Sequence, residues 1–279
     1  KVISGAIVSV SSNVLTIKGK NASSTDINLK TVTATNNTGY SFSSWSKTSG
    51  GITSALTITA TFGGNDLTFG DKTINMTYST VAQTDSITAA TNGTGTYTYA
   101  EKSEKNSSET STNYISISGT TITIAANTPA DTYTYVITAT DSGSGKTADA
   151  TYTIVIGKQT VNAPTDVAVT TGGYVTWTAS SNATGYQISI DNSTWTVATS
   201  GVNYLSTIIG STGSRTVYVR GINSDTTNYT TSSNATTSVT VYQVTFQSNN
   251  TTMGVVDTAN YKVISGATVS VSGNVLTIN

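Results

Sequence analysis

Residues 131–140 read DTYTYVITAT, and polar and apolar side chains alternate along most of this run, with Val136 as the exception after Thr132. Successive side chains of a β-strand point to opposite faces of a sheet, so the alternation predicts a half-buried strand. The pattern recurs in five further runs, at residues 121–125, 151–156, 175–178, 187–190 and 216–220. Gly, Asn, Asp and Ser, which favour turns, separate these runs. Many short strands without a convincing helical period predict an all-β chain of sandwiches or barrels.

The composition favours the same fold class. Thr contributes about a fifth of the residues, and Ser and Thr together contribute about a third. Thr is β-branched, which favours strands over helices. Charged residues make up only 10% of the chain. Disordered chains usually combine high net charge with few hydrophobic residues, so this composition indicates folded β domains.

Charge and hydropathy argue against two classes of partner. The formal net charge is −1, and the 13 Lys and Arg residues are scattered along the chain. Nucleic-acid binding depends on clustered basic side chains, so we expect no nucleic-acid partner. No apolar run approaches the roughly 18 residues of a membrane helix, so we expect no membrane span in this segment.

The chain repeats its own beginning. Residues 1–17 read KVISGAIVSVSSNVLTI, and residues 262–278 read KVISGATVSVSGNVLTI. Only two positions differ, with Thr268 in place of Ile7 and Gly273 in place of Ser12. The copies begin at Lys1 and Lys262, an offset of 261 residues, which is the size of several small domains rather than of a solenoid repeat. We therefore expect one period of a tandem array, plus an overlap.

We place the domain borders after the last predicted strand of each group of strands. The four predicted segments are residues 1–62, 63–157, 158–242 and 243–279. Joined across the repeat, residues 243–261 and 1–62 make one module of about 80 residues, an ordinary size for a small domain. We therefore predict two whole domains, flanked by the C-terminal part of one module and the N-terminal part of the next.

Three resemblances support this division. The rejoined module carries VTF at residues 244–246, GYSFSSW at 39–45 and TITATF at 57–62, and it resembles the divergent internalin-type B-repeat, or Listeria–Bacteroides repeat. Residues 67–156 resemble bacterial immunoglobulin-like domains through ATNGTGTY and ADTYTYVITATD. Residues 163–241 resemble a fibronectin type III domain through APTDV, VTWTAS and VYVRGIN.

With these three modules together, the chain resembles a tandem-repeat microbial surface protein. The resemblance implies an extracellular or cell-surface location and a non-catalytic role as stalk or adhesin. It also implies its partners, which are neighbouring repeats or other copies of the chain, and a surface glycan or host protein.

The residue types exclude several reaction classes. The chain contains no His and no Cys. It therefore lacks a Ser-His-Asp triad, a His-ligated metal site and a thiolate nucleophile. The acidic cluster of Glu101, Glu104 and Glu109 is interpreted as a solvated loop. We expect no enzyme activity, no metal and no cofactor.

Four residues are singled out by position. Lys72 precedes a Thr-rich strand and is a candidate for an intramolecular isopeptide bond, with a surface lysine as the alternative. Trp195 follows a turn and is a candidate for stacking on glycan, with packing across a hairpin as the alternative. Trp45 and Trp177 are predicted to fill the cores of the B-repeat-like and fibronectin-like modules.

Two further hypotheses stand beside the stalk. One sandwich could act as a glycan- or protein-binding module through its loops. Alternatively, residues 1–62 lack the opening at 243–261, which another chain could supply by strand complementation. Such contacts need not close, so they would build head-to-tail filaments. A third interpretation is that the ends are cut from a longer array.

Overall fold

The structure, a computed structural model, describes residue 2 and residues 5–249, 254–256 and 260–279. The chain is almost entirely β, which confirms the all-β prediction. It divides into two compact units, Lys1–Ile156 and Gly157–Asn279. Part of the predicted module opening, at residues 250–253 and 257–259, lies outside the described residues.

The first unit opens with six strands in two sheets. They are β1 (Ile7–Ser11), β2 (Val14–Lys20), β3 (Asp26–Thr33), β4 (Tyr40–Trp45), β5 (Ser49–Gly51) and β6 (Ala60–Gly64). One sheet has the order β3-β2-β1-β5, and β4 pairs with β6 in the other. Val8 and Leu15 of the first sheet share a buried cluster with Trp45 of the second, so the two sheets have a common core.

Seven strands complete this unit. They are β7 (Lys72–Thr77), β8 (Gln83–Ser86), β9 (Tyr97–Lys105), β10 (Ile115–Ser118), β11 (Thr121–Ile124), β12 (Thr132–Asp141) and β13 (Thr147–Gly157). They form a four-stranded sheet, β7-β13-β12-β9, and a three-stranded sheet, β10-β11-β8. Tyr133, Tyr135 and Ile137 of β12 are buried in alternation with less buried residues, which confirms the strand predicted at 131–140.

The second unit contains a sandwich built from ten strands and one short helix. They are β14 (Gln159–Thr160), β15 (Thr165–Val169), β16 (Tyr174–Thr178), β17 (Gly185–Ser189), β18 (Thr196–Ala198), β19 (Val202–Asn203), α1 (Leu205–Ile208), β20 (Gly213–Ile222), β21 (Tyr229–Thr230), β22 (Ala235–Val244) and β23 (Tyr261–Ile264). The three-stranded sheet β15-β16-β19 and the five-stranded sheet β18-β17-β20-β22-β23 share one apolar core, and β14 pairs with β21.

The chain ends in a hairpin of β24 (Val269–Ser272) and β25 (Val275–Ile278), which form a two-stranded sheet. Two of the predicted segment borders fall inside strands, because β6 runs through residues 62 and 63 and β22 runs through 242 and 243. The division into four segments stays a prediction. Among the described residues, no helix has the length and hydrophobicity needed to cross a membrane.

The interpretation of residues 101–109 as a solvated loop is wrong for Glu104. Glu101 and Glu104 both lie in β9, and Glu104 is buried. Its carboxylate accepts hydrogen bonds from Thr112 Oγ1 (2.6 Å), Tyr114 N (2.8 Å) and Ile115 N (2.9 Å). Burial of a carboxylate is tolerated when donors satisfy it, and these donors come from residues eight to eleven positions further along the chain.

Candidate interaction site

The two copies of the repeat fold into the same hairpin. In the first copy, β1 pairs with β2 so that Val8 faces Ile17 and Val10 faces Leu15. In the second copy, β24 pairs with β25 so that the equivalent Val269 faces Ile278 and Val271 faces Leu276. A one-residue slip would send every side chain to the opposite face, so the shared register gives both hairpins the same apolar face.

The turn of this hairpin explains one of the two differences between the copies. Ser12 has a φ of 52°, and the equivalent Gly273 has a φ of 62°. Residues with a Cβ rarely adopt this left-handed conformation, whereas glycine adopts it readily. The second copy therefore carries the residue that suits the turn better.

We expect Ser12→Gly to stabilise the first unit by about 0.5–1 kcal/mol, because the exposed serine is strained at positive φ. The measurement is chemical unfolding of the variant and of the wild-type chain. Gly273→Ser is the matched control, and it should not stabilise either unit. A destabilised Ser12→Gly variant would contradict this account of the turn.

The two hairpins differ in what covers their apolar face. Val8 and Leu15 are each 2% exposed. Their equivalents Val269 and Leu276 are 60% and 46% exposed. The same residues in the same register are therefore buried at one end of the chain and open to solvent at the other.

The cover of the first hairpin comes from the residues that follow it. Ala34, Trp45 and Ile52 share the buried cluster with Val8 and Leu15. β3 pairs along the outer edge of β2, and β5 pairs along the outer edge of β1. The turn is also fixed, because Ala34 O accepts from Asn13 Nδ2 and Ala34 N donates to Asn13 O.

The residues before the second hairpin extend the preceding sandwich. β23 pairs with β22, with Val241 opposite Ile264 and Val244 opposite Tyr261. Ile264 is buried in the core cluster with Val175, Trp177 and Val219. The beginning of the repeated motif therefore belongs to the sheet of the domain that precedes it.

Trp195 is half-buried in the sandwich of the second unit, with one ring face covered. The guanidinium of Arg220 lies 3.9 Å from the ring centroid, a cation–π contact. Arg220 Nε donates to Gln187 Oε1 at 2.9 Å, which fixes the guanidinium. The loop before Trp195 is held by Asp191, whose pKa lies below its usual range because Thr194 N and Ser193 N donate to the carboxylate. Stacking on a glycan would require the opposite ring face.

Lys72 lies in an ion pair. Its Nζ is 3.0 Å from Asp85 Oδ1 and donates to Ser86 O at 2.7 Å. The pKa of Asp85 is lowered by the backbone hydrogen bond from Ser86 and by Lys72, although partial burial opposes this shift. An isopeptide bond at Lys72 stays a prediction, and an intact mass about 17–18 Da below the sequence mass would reveal it, because a bond to Asn releases ammonia and a bond to Asp releases water.

Both tryptophans predicted as core residues are buried. Trp45 packs against Phe42 with a centroid distance of 5.7 Å, and its Nε1 has no hydrogen-bond partner. Trp177 packs against Tyr186 with a centroid distance of 5.3 Å. Each tryptophan belongs to the apolar cluster of its own sheet pair.

The carboxylates of the described residues form no cluster that could hold a metal. Asp141 illustrates their structural use. It is buried at the end of β12, and its carboxylate accepts from the backbone N of Thr94 and of Ser144, each at 3.2 Å, and from both hydroxyls. Burial alone would raise the pKa of Asp141, but these hydrogen bonds lower it to about 2. Asp141 thus ties two loops at one end of the sandwich.

This depressed pKa predicts acid sensitivity of the first unit. The unfolded carboxyl titrates near 3.8, so Asp141 contributes stability above that pH, and the contribution is lost as the pH falls through about 2. We expect the difference in unfolding free energy between wild type and Asp141→Asn to be full at about pH 6 and to shrink steadily below about pH 4. Urea unfolding at a series of pH values measures it. A difference independent of pH would contradict the assignment.

Comparisons with known proteins identify no family. No protein-family model matches the chain, and no curated protein matches it. Among solved structures, the chain is similar to chicken CNTN1 FN1-FN3 domains, with 11% identity and a TM-score of 0.24. That alignment covers 81% of this chain and 74% of the other.

Proposed function

We propose that the chain is a non-catalytic repeating segment of a large extracellular surface protein, which serves as a stalk or adhesin. The observation that carries this proposal is the 17-residue motif found at two positions 261 residues apart, because both copies contain a hairpin with the same register. Recurrence of the same motif at residues 1–17 and 262–278 indicates that the chain is organised as a repeat. In such an array, the partners of this segment are the neighbouring repeats of the same protein.

The short junction before the second hairpin supports a role as an extended stalk. Only residues 265–268 separate Ile264 in β23 from Val269 in β24. Ser265 N donates to Thr240 O at 2.8 Å, and Ala267 N donates to Ile264 O at 3.2 Å. A short linker that is hydrogen-bonded to the preceding sandwich bends less than a flexible one, which suits a stalk.

The test is the length of covalent tandem repeats. Chains of one, two and three 261-residue periods are compared by small-angle X-ray scattering. A stalk predicts that the maximum dimension grows in proportion to the number of periods. A compact particle, whose maximum dimension grows much more slowly, would contradict the proposal.

An adhesin role adds a surface glycan or host protein as a partner. Trp195 is half-buried and Arg220 covers one of its ring faces, so a sugar would have to stack on the other face. A glycan array with the chain and its Trp195→Ala variant tests this role. Specific binding that Trp195→Ala abolishes would support a glycan site at this residue, whereas binding unchanged in the variant would exclude it.

A further inference from the structure

We infer that a notch in the sandwich of the second unit binds a neutral sugar residue of a surface glycan. The inference rests on the adhesin role in the proposed function and deepens it, because it names a site and a class of ligand. The notch is lined by ten residues between Trp177 and Ser200, and we call it the crossover notch. Its volume of about 420 Å³ lies within the range of roughly 300–1,000 Å³ that is typical of small-molecule sites.

The notch lies where the chain changes sheets. β18 pairs with β17, with Ala198 opposite Tyr186. The chain then crosses to the other sheet, where β19 pairs with β16 and Val202 lies opposite Val175. At the crossing, Gly201 N donates to Val175 O at 2.8 Å. A strand that switches sheets forms an open corner of a sandwich, so the topology itself creates the notch.

One wall of the notch is aromatic. Tyr186 is half-buried, and its ring packs against Trp177 with a centroid distance of 5.3 Å. Ser180 N donates to Tyr186 Oη at 2.7 Å, which fixes the orientation of the ring. Trp177 is only 7% exposed, so Tyr186 supplies the accessible aromatic surface. The C–H groups on one face of a pyranose ring pack well on such a surface, while its hydroxyl groups remain free for polar contacts.

The other lining residues are small, and several of them carry hydroxyl groups. Thr184, Thr199 and Ser200 are exposed, and Ser180 is half-buried. A hydroxyl group both donates and accepts hydrogen bonds, so these side chains match the hydroxyl groups of a sugar. The remaining lining residues are alanine and glycine, which leave room for a ring.

The lining carries no charge. None of the ten lining residues, all of which the structure describes, is Asp, Glu, Lys or Arg. A carboxylate, sulfate or phosphate group on the ligand would lose hydration in the notch without gaining an opposite charge. The notch therefore favours a neutral sugar over an acidic one.

Hydrogen bonds hold the walls of the notch in place. Ser200 Oγ accepts from Trp177 N at 2.9 Å and donates to Trp177 O at 3.1 Å. Tyr204 Oη accepts from Thr199 N at 2.7 Å. A site that is already ordered loses less conformational entropy on binding, which favours affinity for a small ligand.

The experiment is an array of neutral and acidic oligosaccharides, probed with the full chain and two variants. We expect specific binding to neutral oligosaccharides, and binding at least about tenfold weaker for Ala179→Trp, which places a bulky ring in the notch. Ala179 is exposed, so the change leaves the core intact. Ala168→Trp is the matched control, since Ala168 is exposed in β15 of the same sandwich and does not line the notch. It should bind like the wild type.

A titration of the wild-type chain, followed by amide NMR, locates the site without any substitution. The probe is the neutral oligosaccharide that gives the strongest signal on the array. We expect the largest chemical-shift changes at residues 180–186 and 198–200. Changes confined to other parts of the chain would overturn the inference.

The outcomes separate this site from the roles proposed above. A wild-type chain that binds no glycan, binding confined to acidic oligosaccharides, or unchanged binding by Ala179→Trp would overturn the inference. If Trp195→Ala abolishes binding and Ala179→Trp does not, then the adhesin role stands and the glycan site lies at Trp195. Tandem repeats that lengthen in proportion without binding any glycan would leave the stalk intact and remove the crossover notch as a sugar site.

Discussion

Glu104→Ala is expected to destabilise the first unit by about 2–4 kcal/mol, because it leaves three buried or partly buried donors without their acceptor. The donors are Thr112 Oγ1 and the backbone N–H groups of Tyr114 and Ile115, at the entry to β10. The loss is largest for the backbone groups, which cannot rotate toward water. Denaturant unfolding followed by circular dichroism measures the change.

Two Glu→Gln variants, one at a buried and one at an exposed residue, separate the effect of burial from the effect of losing a negative charge. Glu104→Gln keeps one acceptor oxygen but places an NH₂ group against a backbone donor, so we expect a loss of about 1–3 kcal/mol. Glu109→Gln removes the same charge from an exposed residue that pairs with Lys105, and it should change stability by less than about 0.5 kcal/mol. Equal effects of the two changes would show that the carboxylate of Glu104 has no special structural role.

Trp177→Ala is expected to destabilise the second unit by about 3–5 kcal/mol, since it empties the centre of an apolar core. Trp177 lies in a cluster with Val175, Ile188 and Val219, and it contacts the ring of Tyr186. The same denaturant unfolding, combined with hydrogen exchange to assign the change to residues 157–279, measures the loss.

Trp195→Ala is the control for this change, because it removes the same side chain from the surface of the same sandwich. It forfeits the contact of the half-buried ring with Arg220, which is worth about 0.5–2 kcal/mol. If Trp195→Ala lowers the free energy of unfolding as much as Trp177→Ala does, then burial of Trp177 in the core is not the main reason that it stabilises the second unit.

Much of the secondary structure could be predicted from local pattern. The alternation at residues 131–140 and 216–220 predicted strands that the structure places in β12 and β20. This works because the period of two is a property of the strand backbone and holds wherever one face is buried. The turn residues between the strands were equally informative, since few residue types adopt positive φ.

The environment of Glu104 could not be predicted in the same way. Its neighbours in sequence are charged and polar, which indicated a solvated loop. Its hydrogen-bond donors belong to residues 112–115, which the fold of β9 and β10 brings beside it. A sequence window around Glu104 contains no signal of this contact, because tertiary structure creates it. The strand alternation that begins with Tyr97 and Tyr99 does not lead to Glu104, because a bulge in β9 shifts it by one residue.

The sequence by itself determined the repeat, and the alternation of polar and apolar residues that both copies share gives their two hairpins the same register. Only the tertiary structure decided which copy is buried. Val8 and Val269 belong to nearly identical segments, yet one is 2% exposed and the other 60%. The physical reason is that a strand specifies which face is apolar, whereas burial requires a second surface. Residues 26–64 supply that surface for the first hairpin.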